Sequence, residues 1–178
     1  MEEFDVTIRE AQPEDAENIL KMMHKVAKET EFLVMDDVGL SISVAFFKEQ
    51  IRQLQESMNY LLLIALDKEQ VIGAASIRSS DEKRLSHIGE LGISILKEYW
   101  SLGLGSILME ELITWAQEND QLYRLELDVQ SQNQRAVHLY KKFGFSVEAV
   151  KKRGARGDDG RFLDVLLMSK FIDHFEAD

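Results

Sequence analysis

The stretch from Glu90 to Met109, ELGISILKEYWSLGLGSILM, constrains the fold more than any other part of the chain. Up to Ile95 it alternates and carries β-branched residues, the pattern of a strand. Gly103 and Gly105 follow a short loop, and Leu104, Leu108, Leu112 and Trp115 then recur at helical spacing. A strand that runs through a glycine-marked turn into a long helix leaves the first backbone N–H groups of that helix without partners. The positive end of the helix dipole adds to them. Such a place suits a phosphate or pyrophosphate, and glycine keeps a Cβ from holding the anion away from the backbone.

By itself the Gly-x-Gly pair admits several readings. A Walker A loop needs Lys-Ser or Lys-Thr after its last glycine, and Ser106-Ile107 follows Gly105. A dinucleotide fold wants a third glycine three residues on, where Leu108 stands. Glycines that merely relieve crowding between helix and strand are the plainest alternative.

A second stretch, NQRAVHLYKKFGF from Asn133 to Phe145, begins about thirty residues after Gly103. Taken in this order, the two stretches resemble the GNAT superfamily of N-acetyltransferases, which move acetyl groups from acetyl-CoA to amines. The family's pyrophosphate signature, Gln/Arg-x-x-Gly-x-Gly/Ala, corresponds here to Trp100-Ser-Leu-Gly103-Leu-Gly105. Its second signature, Asn-x-x-Ala-x-x-Leu-Tyr-x-x-x-Gly-Phe, is matched at every named position. The resemblance spans about Val6 to Phe171, and Trp100 departs from it where Gln or Arg is usual.

Composition bounds the remainder. A chain of 178 residues, 45% hydrophobic and 30% charged, is an ordinary globular length and mixture, and one domain over residues 1–178 is expected. The absence of cysteine excludes disulfides, thiolate metal sites and a cysteine nucleophile. A net charge of −11 argues against general binding to nucleic acid or to an anionic membrane. Nothing resembles a signal peptide, no apolar run reaches the length of a membrane span, and a cytoplasmic location follows by default. A homodimer is compatible with the sequence.

The elements read in order as a strand from Phe4 to Glu10, a helix opening at Pro13, and a second helix from about Ser43 to Met58. Tyr60–Leu66 and Val71–Ile77 form a hairpin, with Gly73 marking a bulge or a close approach. The central strand from Ser86 to Ile95 and the long helix follow. A strand from Leu122 to Val129 and a helix ending at Gly144 come next. Phe145–Lys151 and Arg161–Phe171 close the chain around an Asp158-Asp159-Gly160 turn. The expected fold is mixed α/β (α+β). One mostly antiparallel sheet of about seven strands is flanked by about four helices.

Amine acetylation needs a neutral amine, a polarised thioester carbonyl and a proton for the departing thiolate. Glu90 is the leading base, at a spacing that resembles the glutamate of the phosphinothricin acetyltransferase branch. His87 is the rival, on the opposite face of a regular strand. Tyr140 matches the family's general acid. The resemblance places the pyrophosphate on the amides of Leu102, Gly103, Leu104, Gly105 and Ser106. It places the pantetheine and thioester near Ile93, Ser94, Ile95 and Asn133, although Asn133 also suits a helix cap. The connection carrying Glu29, Glu31, Phe32, Asp36 and Asp37 would border the acceptor pocket, its acids drawing in a cationic amine. A plain solvated loop is the simpler account of those acids. Lys151–Arg156 suits either a 3′-phosphate contact or a solvated hairpin. The histidines show no metal-ligand spacing, and no metal is expected. The reaction implied is direct acetyl transfer in a ternary complex to a small amine or a protein N-terminus. A non-catalytic acyl-CoA sensor is the alternative.

Overall fold

The computed structural model describes residues 5–33 and 41–174. Seven strands form one sheet: β1 (Val6–Glu10), β2 (Tyr60–Asp67), β3 (Gln70–Ser79), β4 (Ile88–Ile95), β5 (Arg124–Gln130), β6 (Ser146–Arg156) and β7 (Phe162–Phe171). Among the described residues there are four α-helices: α1 (Ala16–Glu29), α2 (Val44–Gln55), α3 (Leu104–Glu118) and α4 (Gln134–Lys142). Their number and type match the expectation, and the sheet order is β1-β2-β3-β4-β5-β7-β6. Every neighbouring pair is antiparallel except β4–β5, which the helix α3 joins as a crossover.

That one parallel pair shapes the molecule. β4 and β5 are paired only over Ile88–Glu90 and Arg124–Glu126, although the strands continue to Ile95 and Gln130. On its other side β4 stays paired with β3 as far as Ile95. The sheet is therefore split between Leu91–Ile95 and Leu127–Gln130, and one edge of β4 there has no strand partner.

Helices α1 and α3 both pack on β3 and β4, from opposite faces of the sheet. Leu108, Leu112 and Met109 of α3 are fully buried against Ile77, Leu125 and Leu127. Truncating such a leucine to Ala typically costs about 2–5 kcal/mol, so this helix anchors firmly to the sheet. Gly73 bears out both expectations drawn from it. The β2–β3 register shifts at Ala65/Leu66, and a Cβ on Gly73 would meet the Ser94 carbonyl at 3.2 Å.

The chain's last hairpin is longer than expected. β6 continues through Arg156, with irregularities at Val147/Ala149 and Lys151/Ala155, so Lys151–Arg156 is strand rather than loop. Lys151 and Lys152 pair with Asp128 and Asp164. Arg124 grips Glu148 through two hydrogen bonds of 2.7 Å and holds its carboxyl well below the usual range, at about 2.

Candidate active site

A cavity of about 770 Å³ passes through the split in the sheet. On one face it is walled by α1, α2 and the chain after α1, and on the other by the start of α3 and by α4. It joins most of the residues singled out from the sequence: Phe32, Ile93, Ser94, Ile95, Gly103, Gly105, Ser106, Asn133 and Tyr140 all line it.

The start of α3 has the form its sequence predicts. Gly103 takes φ +84°, a left-handed conformation that side chains resist, and no side chain caps the helix. Among the described residues nothing accepts a hydrogen bond from the amides of Leu102, Gly103, Leu104 or Gly105. Ser106 differs from expectation, because its N–H already donates to the Gly103 carbonyl at 3.0 Å. Its hydroxyl instead meets Lys142 Nζ at 3.1 Å. Gly105 has two reasons to be glycine. A Cβ there would touch Leu139 at 3.1 Å and Ile95 at 3.6 Å, and a small residue keeps the backbone amides approachable.

Trp100 has a specific role in place of Gln or Arg. Its indole N–H donates to the Ile95 carbonyl at 2.8 Å, which ties the loop to the end of β4. Its ring also forms a platform for Arg135, whose guanidinium lies 4.6 Å from the ring centre. Arg135 in turn donates to Ser101 Oγ at 2.9 Å, and Ser101 is held at φ +65°. Arg135 and Lys142 stand two helical turns apart on α4, and both line the cavity beside the free amides. No described carboxylate pairs with either, in a protein of net charge −11. Gln or Arg is absent at position 100, and two cations from α4 stand beside the free amides. The sequence hides this because Trp100 and Arg135 are distant along the chain.

Tyr140 lies on α4, 7% exposed, with its ring 6.0 Å from Phe145. Burial pushes its phenol up to about 12, so it remains protonated at neutral pH and is available as a donor into the cavity. Asn133 caps α4, accepting from Ala136 N at 3.3 Å, and lines the cavity as well.

The carboxylates are distributed differently from the sequence expectation. Glu90 shares a strand face with Gly92 and Ser94, but it lies at the last paired rung, before the split opens. It faces an adjoining depression with Tyr60, Arg78, Asn59 and Glu82, and Tyr60 borders both spaces. His87 is exposed, precedes β4 and lines neither space. Glu29 is engaged away from the cavity, accepting from the Lys97 amide at 2.8 Å at the start of a short 3-10 turn. The Glu31 carbonyl receives the Gln130 side chain at 2.7 Å. Asp36 and Asp37 lie outside the described residues. Among the described residues, the carboxylate that lines the cavity is Asp128 on β5. Alternation in LELDVQ sets its face, but nothing local tells that it sits where β5 has parted from β4. No group of metal-ligating side chains occurs among the described residues, and no described helix is long and apolar enough to cross a membrane.

Comparison with known proteins agrees with this geometry. A family model described as the acetyltransferase (GNAT) family matches residues 26–145. The L-amino acid N-acetyltransferase AaaT of Escherichia coli is 31% identical over 108 residues, which cover 61% of this chain and 66% of that protein. That match falls just short of two thirds of the relative's length. A GNAT acetyltransferase structure from Streptococcus pneumoniae superposes with a TM-score of 0.92 at 41% identity, covering 94% of this chain and 100% of that one. Salmonella typhimurium yncA, solved with its cofactor acetyl-CoA, shares the fold with a TM-score of 0.81 at 24% identity, over 97% of this chain and 98% of that one. The family match runs from the end of α1 through β4, the open helix start and α4, and the chain belongs to the acetyltransferase (GNAT) family of acyltransferases.

Proposed function

We propose that this protein is an acetyl-CoA-dependent N-acetyltransferase that acts by direct transfer to a primary amine. The observation that carries this reading is the cavity through the split sheet. It connects a helix start with free amides on one face to a largely apolar chamber on the other. Two substrates entering from opposite faces can meet only in the split, beside the unpartnered edge of β4.

In this reading the pyrophosphate sits on the amides of Leu102 to Gly105, with Arg135 and Lys142 beside it. The pantetheine arm follows the free edge of β4 at Ile93, Ser94 and Ile95. The backbone there supplies donors for the thioester oxygen. The amine nitrogen attacks the thioester carbon, the C–S bond breaks, and Tyr140 donates its hydroxyl proton to sulfur. The proton lost by the amine leaves through water toward Glu90, which borders the neighbouring depression. With no cysteine in the chain, an acyl-cysteine intermediate is excluded. The E. coli relative is named for L-amino acids; for this chain the acceptor is a small amine or a protein N-terminus.

Initial rates of CoA release, measured while acetyl-CoA and an amine are varied together, test the reading. Intersecting double-reciprocal lines are expected for a ternary complex. Parallel lines would overturn direct transfer in favour of a covalent acyl-enzyme, and tight acetyl-CoA binding with no transfer to any amine would favour the alternative of an acyl-CoA sensor.

A further inference from the structure

The acceptor side of the cavity has a chemical character that narrows the substrate. Its walls are largely apolar, built from Ile19, Met23, Phe32, Leu33 and Phe47, with Thr30 and Ser76 among the few polar groups. Asp128 is the only carboxylate among the described residues that line the cavity. The cationic or titratable bases that line it are Arg135, Lys142 and His138, and all three belong to α4 on the donor face. Arg78 faces the separate depression with Glu90. The undescribed segments 1–4, 34–40 and 175–178 contain no Lys, Arg or His.

Asp128 is also suitably placed. It lies two residues beyond Glu126, the last residue of β5 paired with β4, as Gly92 lies two beyond Glu90. It therefore stands at the opening of the split on the acceptor face. Across from it Gly92 leaves free space, since a Cβ there would meet only Ser76 Oγ, at 3.6 Å. Lys151 holds Asp128 Oδ2 at 2.6 Å from outside, while no described group donates to Oδ1.

Building on the transfer reading above, we propose that Asp128 receives the ammonium of the acceptor, and that the acceptor is a monocationic amine with an apolar body and no adjacent carboxylate. A carboxylate next to the amine would be brought against Asp128 and apolar walls, where Lys151 is already engaged with Asp128 Oδ2, so its charge would be poorly compensated. A polyamine would bring further charges to walls whose described residues offer no second carboxylate. Hydrophobic aralkylamines, or peptide N-termini whose first carboxylate is already an amide, fit the chamber. Free amino acids do not. Asp128 acts here in binding, while the proton leaves by the water path toward Glu90.

Calorimetry on the CoA-saturated protein tests this without turnover, with 2-phenylethylamine, phenylalanine, phenylalaninamide and spermidine as probes. Phenylethylamine and phenylalaninamide should bind, and phenylalanine and spermidine should bind more weakly by about 30-fold or more, the scale of one charged hydrogen bond. Asp128→Asn should weaken phenylethylamine by a similar factor, whereas Lys151→Met, which removes the ion pair but keeps the carboxylate, should retain it. Phenylalanine binding as tightly as phenylethylamine, binding by none of the amines, or equal losses in the two variants would overturn the proposal. Equal losses would mean that the pair serves only to hold the hairpin. If phenylethylamine binds but is never acetylated, the transfer reading fails while the amine site stands.

Discussion

The two sides of the split are built by different means. In the proposed reading, the chemistry of the donor side comes from backbone: the free amides at the start of α3 and the open edge of β4. Few side chains are needed, and the two segments concerned are each continuous in sequence. On the acceptor side the walls come from side chains of α1, α2, β2, β3 and β5, brought together from across the chain. Donor recognition by backbone leaves a short, readable signature, because only small residues permit it. Acceptor recognition by scattered side chains leaves none. Its selectivity can change without disturbing the donor site.

Substitutions on the donor side give the sharpest test of this contrast. Gly105→Val is expected to weaken acetyl-CoA binding on the order of 10³-fold, roughly two lost charge-assisted hydrogen bonds. Its side chain presses on Leu139, so thermal unfolding must be measured alongside calorimetry. If affinity is unchanged in a folded variant, the backbone cradle is not the donor site.

Tyr140→Phe keeps the ring and its burial and removes the donor. A loss of about 10²-fold in kcat is expected, the lower end for general acid catalysis. The loss should shrink with acyl donors whose thiols are more acidic. Because burial holds the phenol at about 12, the parent should show no alkaline decline attributable to Tyr140 up to about pH 10. The sign follows from the neutral phenol being the donor, which is lost only as pH rises through the elevated value. Parental kcat in the variant, with chemistry limiting, would reduce Tyr140 to packing.

Arg135→Ala removes a side chain that belongs wholly to the donor half. It should raise KM for acetyl-CoA about 10-fold, as expected for a partly exposed phosphate contact, and leave KM for the amine alone. A change confined to the amine would break the division between the halves. Glu90→Gln is expected to have the smallest effect, about a few-fold, because Glu90 lies in the neighbouring depression and, in the proposed reading, acts through water. The effect should appear below the amine's own pKa and fade as solution deprotonation takes over. A pH-independent profile identical to the parent would assign the proton to water alone.

Glu90 and Asp128 show where local reasoning reached its end. Both alternate onto the same face of neighbouring parallel strands, and both are evident in the sequence as strand carboxylates. Glu90 lies at the last paired rung and Asp128 just past it, which places them in different spaces. Strand register is a property of two segments more than thirty residues apart, and no local pattern encodes where the pairing stops. Glu29 teaches the same point, since its partner is the Lys97 amide, 68 positions away.

The sequence by itself determined the order and type of the elements, the glycine-opened start of α3, the α4 signature around Tyr140, and the family. Each of these is local: periodicity, turn residues, and glycines that tolerate φ values or approaches other residues do not. Only the tertiary structure decided that the sheet splits after Glu90. It also decided that Arg135 lies over Trp100, where Gln or Arg is usual, and that Asp128 rather than Glu29 lines the cavity. Those outcomes depend on how distant strands and helices pack, where the distances that set charge and shape are between residues the chain order keeps apart.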